Sequence, residues 1–141
     1  MDGRRVCVII IDANAHMRRL IGTVLGSIAV TEVLEARSTA QAMPLMVAHR
    51  PHLVIMDWAH DPTDGVLFVH RLRRGEIGQA KTPVLALSAS LHHAILEQAQ
   101  DAGIDEVIAK PISAREMIQR AATLIEAERR RGDQTGADAA E

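Results

Sequence analysis

Five short apolar runs, each followed by a stretch of helical periodicity, constrain what this chain can fold into more than any other feature. The runs fall at 6–11, 32–36, 53–56, 84–87 and 106–109. Three of them lack strict alternation of apolar and polar residues, as expected of strands buried on both faces. The order strand–helix, repeated five times, implies right-handed crossovers and a parallel sheet with helices on both faces.

The helical stretches carry their own start and stop signals. Met17, Leu20, Ile21, Val24, Leu25 and Ile28 recur at the spacing of three and four that makes one apolar helix face. A second helix opens at Ser38 with Gln41 three residues on, a capping box, and contains Pro44, which should bend or shorten it. A third is predicted over about 65–74, with Val66, Leu67, Val69 and Leu72. A fourth is predicted over about 91–102 and stops at Gly103. A fifth opens with Ser113 and Glu116 and runs through Met117, Ile118, Ala121, Leu124 and Ile125 into Arg129, Arg130 and Arg131. The remainder, 132–141, is small, polar and acidic, and reads as a disordered tail after one domain spanning 1–131. With Trp58 and Phe68 as the only aromatic rings and no Tyr, the core must be aliphatic. The net charge of −2 argues against general affinity for DNA or for acidic membranes. No apolar stretch approaches the roughly 20 residues of a membrane span, and the first residues lack a secretory pattern. The lone Cys7 lies in an apolar run and reads as a buried small hydrophobe. A cytoplasmic location is the expectation.

In open parallel sheets, ligands bind beyond the carboxyl ends of the strands, where the strand order reverses. The first run ends at Asp12, the third at Asp57, the fourth at Ser88 and the fifth at Lys110, before Pro111. Two carboxylates, a hydroxyl and an ammonium are thereby sent toward one rim. That set suits phosphoryl transfer to a carboxylate, which needs a nucleophilic oxygen, a hard cation and further positive charge on the moving group. Asp57, on a central strand, is the expected nucleophile. Asp12 is the expected magnesium ligand, Lys110 a point charge for the phosphoryl group, and Ser88 a hydrogen-bond donor to it.

On these residues the chain resembles the response-regulator receiver domains over 5–127. The resemblance rests on five segments in order. They are the apolar strand through Asp12, Ala13 and Asn14 to Met17 and Arg18; Leu53 to Trp58; Asp64-Gly65; Val84 to Ala89; and Ala109-Lys110-Pro111. It implies a flavodoxin-like (βα)5 three-layer sandwich, with a five-stranded parallel sheet of order 2-1-3-4-5. It also implies that Asp57 accepts a phosphoryl group from a histidine kinase or histidine phosphotransfer protein, with Mg2+ as cofactor. The implied magnesium ligands are Asp12, Asp57 and the backbone carbonyl of Ala59. The domain catalyses its own phosphorylation and slow hydrolysis and is otherwise no enzyme. A switch through Ser88 and position 107 alters the face formed by the fourth helix, fifth strand and fifth helix, which meets a downstream protein target or a second copy of the chain. The Lys110-Pro111 peptide is often cis in this family.

Three departures qualify the resemblance. Ala13 stands where the family has a second acid, normally the direct magnesium ligand. Val107 stands where an aromatic often changes rotamer on activation, so a ring-flip switch is impossible. After Asp57 the loop reads Trp58 to Gly65 with Pro62 displaced by one position; His60 and Asp61 add charge there.

The leading reading is a stand-alone receiver that signals by protein contacts or passes its phosphoryl group onward. The alternative is a pseudo-receiver binding module with magnesium binding impaired by Ala13, responsive to a nucleotide if Arg129 to Arg131 form an anion site. The simpler role of those arginines is to complement the helix dipole. A free-standing hydrolase using Asp57 lacks any cap domain to grip a substrate. The seven histidines show no zinc-like spacing.

Overall fold

The structure, a computed structural model, describes the backbone of residues 5–59 and 62–140 and the side chains up to Gly132, residues 60 and 61 excepted. His60, Asp61 and Glu141 therefore lie outside the described residues.

Five strands and five helices alternate: β1 (Cys7–Ile11), α1 (Ala15–Leu25), β2 (Glu32–Ala36), α2 (Thr39–His49), β3 (Leu53–Asp57), α3 (Thr63–Arg73), β4 (Val84–Ser88), α4 (His93–Ala102), β5 (Glu106–Ala109) and α5 (Ala114–Ala140). All pairings are parallel, and the sheet order is β2-β1-β3-β4-β5. This is the flavodoxin-like arrangement that the resemblance implies.

Burial explains why each run became the strand it did. Every residue of β1 and β4 is buried, and β3 is buried up to Asp57. Side chains alternate across the pleat, so each central strand feeds two cores. Ile9, Ile11, Val54, Met56, Val84 and Ala86 meet α2, α3 and α4, with Phe68 and Leu72 among the residues they pack against. Val8, Ile10, Leu53, Ile55, Leu85 and Leu87 meet α1 and α5 through Ile21, Leu25, Met117 and Ala121. The edge strand β2 alternates instead, with Val33 and Glu35 turned to solvent. Cys7 is fully buried, and burial, reinforced by nearby Glu32, pushes its thiol pKa up to about 11.

Local signals set the helix ends. Ser38 accepts from the Gln41 N–H at 3.1 Å, while the Gln41 side chain accepts from the Arg37 N–H at 2.7 Å, one residue earlier than a standard capping box. Pro44 does not shorten α2: burial of Ala42 and Met46 outweighs one missing helical hydrogen bond, and the helix ends only at Arg50, in the left-handed region at φ 48°. Helix α3 begins at Thr63, two residues before the expected start, because the Val66 N–H already bonds to the Pro62 carbonyl. Helix α4 begins at His93 rather than 91, since the His92 ring accepts from the Ala94 N–H and caps it. The backbone of α5 continues as helix from Arg131 through Ala140, where the composition predicts a disordered tail. Extending an already nucleated helix adds a hydrogen bond for each residue fixed. Among the described residues, no helix is long and apolar enough to cross a membrane.

Candidate functional site

The sheet ladder continues one residue past several strand ends and so fixes the residues of interest. The Asp12 N–H bonds to the Ala36 carbonyl at 3.0 Å, Trp58 N–H to Leu87 at 2.7 Å, and Lys110 N–H to Ser88 at 2.8 Å. The Lys110-Pro111 peptide is cis, as the resemblance implies.

Three of the four rim residues converge. Lys110 Nζ donates to Asp57 Oδ1 at 2.6 Å and lies 3.8 Å from Asp12 Oδ2. Asp57 is about one-third exposed at its side chain, while Asp12 is only 6 % exposed. Asp12 Oδ1 accepts from the Asn14 N–H at 2.8 Å, and Oδ2 has no hydrogen-bond partner among the described residues. A buried carboxylate oxygen left this way is costly unless a cation completes it. Arg18 holds the turn from behind, donating to the Asp12 carbonyl at 2.7 Å and to Glu35 at 2.8 Å.

Ser88 is not brought into that triad. Its hydroxyl is buried and closes on Ser90, donating to the Ser90 carbonyl at 2.7 Å and accepting from its N–H at 3.2 Å. To serve a phosphoryl oxygen it must exchange that bond. Val107 sits on β5 opposite Ala86 and packs against the core on the α2–α3–α4 side. Trp58 is a core residue, buried against α3 where Gly65 leaves room for its ring.

A cleft of about 200 Å³ opens over the acids. Asp12, Ala13, Asp57, Ala59, Asp64 and Arg37 are among the residues that line it. Sequence reasoning passes over Arg37. The signal is there, since Arg37 is the residue that leaves the carboxyl end of β2, but the following Ser38 and Thr39 read only as a helix cap.

The donor set fits a hard divalent cation in kind: two carboxylates and a carbonyl at the rim, one oxygen of Asp12 unsatisfied. Ala13 leaves it one carboxylate short. Among the described residues, no three His, Cys, Asp or Glu side chains converge on a possible metal position.

A doubly wound sheet with an acid–ammonium cluster at its topological switch point defines a class of signalling and nucleotide-handling domains. Within that class, the chain belongs to the response regulator receiver domain family, whose model matches residues 8–122. It is 34% identical over 113 residues to the phosphate regulon transcriptional regulatory protein PhoB of Pseudomonas aeruginosa, covering 80% of this chain and 48% of that protein. The chain thus spans about half the length of that regulator. It is 26% identical over 113 residues to a probable chemotaxis protein CheY of Rhizobium etli, covering 80% of this chain and 87% of the other. The crystal structure of the signal receiver domain of an HD domain-containing protein from Pseudomonas fluorescens superposes with a TM-score of 0.80 at 19% identity, over 94% of this chain and 96% of that one. Receiver domains are signalling modules that bind magnesium at their acidic pocket and act through histidine kinases or phosphotransfer proteins and downstream targets.

Proposed function

We propose that this receiver domain accepts a phosphoryl group on Asp57 from a histidine kinase or phosphotransfer protein in the cytoplasm, and signals by protein contacts. The observation that carries the reading is the 2.6 Å contact of Lys110 Nζ with Asp57 Oδ1, made beside the buried, incompletely bonded Asp12.

The chemistry follows from those positions. Lys110 holds one oxygen of Asp57 and orients the carboxylate, leaving the other oxygen to attack phosphorus. A new O–P bond forms at Asp57, the N–P bond to the donor histidine breaks, and its electron pair leaves with the imidazole. The ammonium of Lys110 then pairs with the phosphoryl oxygens, and Ser88 donates to one of them after leaving Ser90. Asp12, Asp57 and the Ala59 carbonyl would hold magnesium, which when bound neutralises charge on the transferring group. The face of α4, β5 and α5 is the surface for a downstream target or a second copy.

Incubation with acetyl phosphate and magnesium tests this. Intact-mass spectrometry should show one added phosphoryl group that is absent in Asp57→Asn. A chain that gains nothing from acetyl phosphate or from any histidine kinase would overturn the reading. It would favour the second one, which Ala13 supports: a pseudo-receiver that binds partners without taking phosphate.

A further inference from the structure

We propose that Arg37 is the residue that captures the phosphoryl group of the donor, supplying at the cleft wall positive charge that a cation held less tightly beside Ala13 does not. This rests on the reading of Asp57 as phosphoacceptor and adds to it a recognition residue at the end of β2.

Four observations converge on Arg37. It lines the same cleft of about 200 Å³ as Asp12, Ala13 and Asp57. Its backbone is fixed on both sides: its N–H donates to Gln41 Oε1 at 2.7 Å, and the next residue, Ser38, caps α2. Its side chain is exposed, and among the described residues its guanidinium has no hydrogen-bond or ion-pair partner. Arg18, also at this rim, is turned to other partners, its Nη1 donating to the Asp12 carbonyl and its Nε to Glu35.

Charge explains why such a group matters here. The cleft is lined by three carboxylates, from Asp12, Asp57 and Asp64. Lys110 is already committed to Asp57 Oδ1 and lies close to Asp12. A phosphoryl group carries negative charge toward that floor and is repelled. With a second acid at position 13, a tightly held divalent cation would offset the repulsion. With alanine there, the offset is smaller, and a guanidinium on the wall can make two parallel N–H bonds to phosphoryl oxygens. Lysine provides charge without that fork geometry, so Arg37→Lys discriminates charge from shape.

The probe is beryllofluoride, a tetrahedral phosphoryl mimic, titrated in magnesium buffer and followed by Trp58 fluorescence, alongside the rate of phosphorylation by acetyl phosphate. Arg37→Ala should weaken beryllofluoride binding and slow phosphorylation, each by about ten- to a hundredfold, the equivalent of one charge-assisted bond pair. Arg37→Lys should fall between. The salt dependence of both readouts should flatten in Arg37→Ala, because a screened attraction has been removed. Urea midpoints should match wild type, since the Arg37 side chain has no partner to lose among the described residues and its N–H bond to Gln41 is kept.

Restoring the acid isolates the compensation. In an Ala13→Asp background, the penalty of Arg37→Ala should shrink. If wild type binds beryllofluoride and takes phosphate while Arg37→Ala equals it at every salt concentration, the assignment of Arg37 is wrong and the acceptor reading stands. If the penalty is equally large with Asp at 13, Arg37 does not compensate for Ala13 and that part of the proposal is overturned. If wild type neither binds beryllofluoride nor takes phosphate, the acceptor reading itself fails.

Discussion

Arg73 ties together the rim of the sheet opposite the acids, and its removal is the sharpest test of how this fold is held. From the last turn of α3, Nη1 donates to the Thr82 and Ala80 carbonyls at 2.6 and 2.8 Å. Nε and Nη2 donate to the Gly103 carbonyl at 3.1 and 2.8 Å, and Nη2 also reaches Asp105 at 2.9 Å. Asp105 in turn accepts from the Val84 N–H at 2.7 Å. One side chain thus joins the α3–β4 connection to the α4–β5 connection. Burial pushes the Arg73 pKa down, and Asp105 opposes that shift. The ion pair itself contributes little, because the Asp105 side chain is 42% exposed and solvent screens it. The bonds to the partly buried Gly103 and Thr82 carbonyls count for more, at about 1.5 kcal/mol each once water is allowed to reach the vacated oxygens. Arg73→Ala should therefore cost about 3 kcal/mol. Arg73→Lys should lose most of it too, since one ammonium cannot serve acceptors that diverge this way. In urea unfolding followed by far-ultraviolet circular dichroism, with a slope near 1.5 kcal/mol per molar, the midpoint should fall by roughly 2 M at unchanged slope. A loss below about 1 kcal/mol would refute the reasoning. Phosphoryl acceptance by the folded fraction should persist, because the acids lie at the other end of the strands.

Four further outcomes follow from particular contacts. A Cβ at Gly65 would lie 3.0 Å from Trp58 Cζ3 and 3.4 Å from Met56 Cε, so Gly65→Ala should shift Trp58 emission and cost about 1 kcal/mol net, overpacking outweighing the helix-propensity gain. Gly22→Ala, whose nearest neighbour would be Val33 at 3.9 Å, should instead raise the melting temperature. The Cys7 thiol holds its proton to about pH 11 when folded against 9.0 as the reference value. The stability it contributes is present below pH 9 and lost as pH rises toward 11, because the unfolded thiol ionises first. Urea midpoints measured from pH 8 to 11 should decline less steeply in Cys7→Ala than in wild type; parallel curves would contradict that. Ala13→Asp should tighten magnesium binding by about tenfold, roughly 1.4 kcal/mol, in a fluorescence titration of Trp58, and an unchanged titration would count against the cleft as the cation site.

Periodicity and strand-end chemistry, both local properties of the chain, carried most of the architecture. An apolar run without alternation has nowhere to go but the middle of a sheet, so β1, β3 and β4 could be read directly, whereas the edge position of β2 shows only in the folded strand, where Val33 and Glu35 face solvent. The same reasoning set Asp12, Asp57, Ser88 and Lys110 at one rim, because a parallel sheet aligns all its carboxyl ends. Which of them touch was decided by folding alone. Distances of a few ångströms depend on register between strands far apart in sequence, and register brought Lys110 onto Asp57 while leaving Ser88 closed on Ser90. Arg37 entered the cleft for the same reason, since β2 lies beside β1 and its end opens where Asp12 does. The helix starts at Thr63 and His93, and the passage of α2 through Pro44, were settled by buried side chains and caps whose energies exceed intrinsic propensity. What the residues determined by themselves was the layering and the chemistry available at the rim; only the packed sheet determined which groups meet, because proximity between distant strands is a property of the whole core.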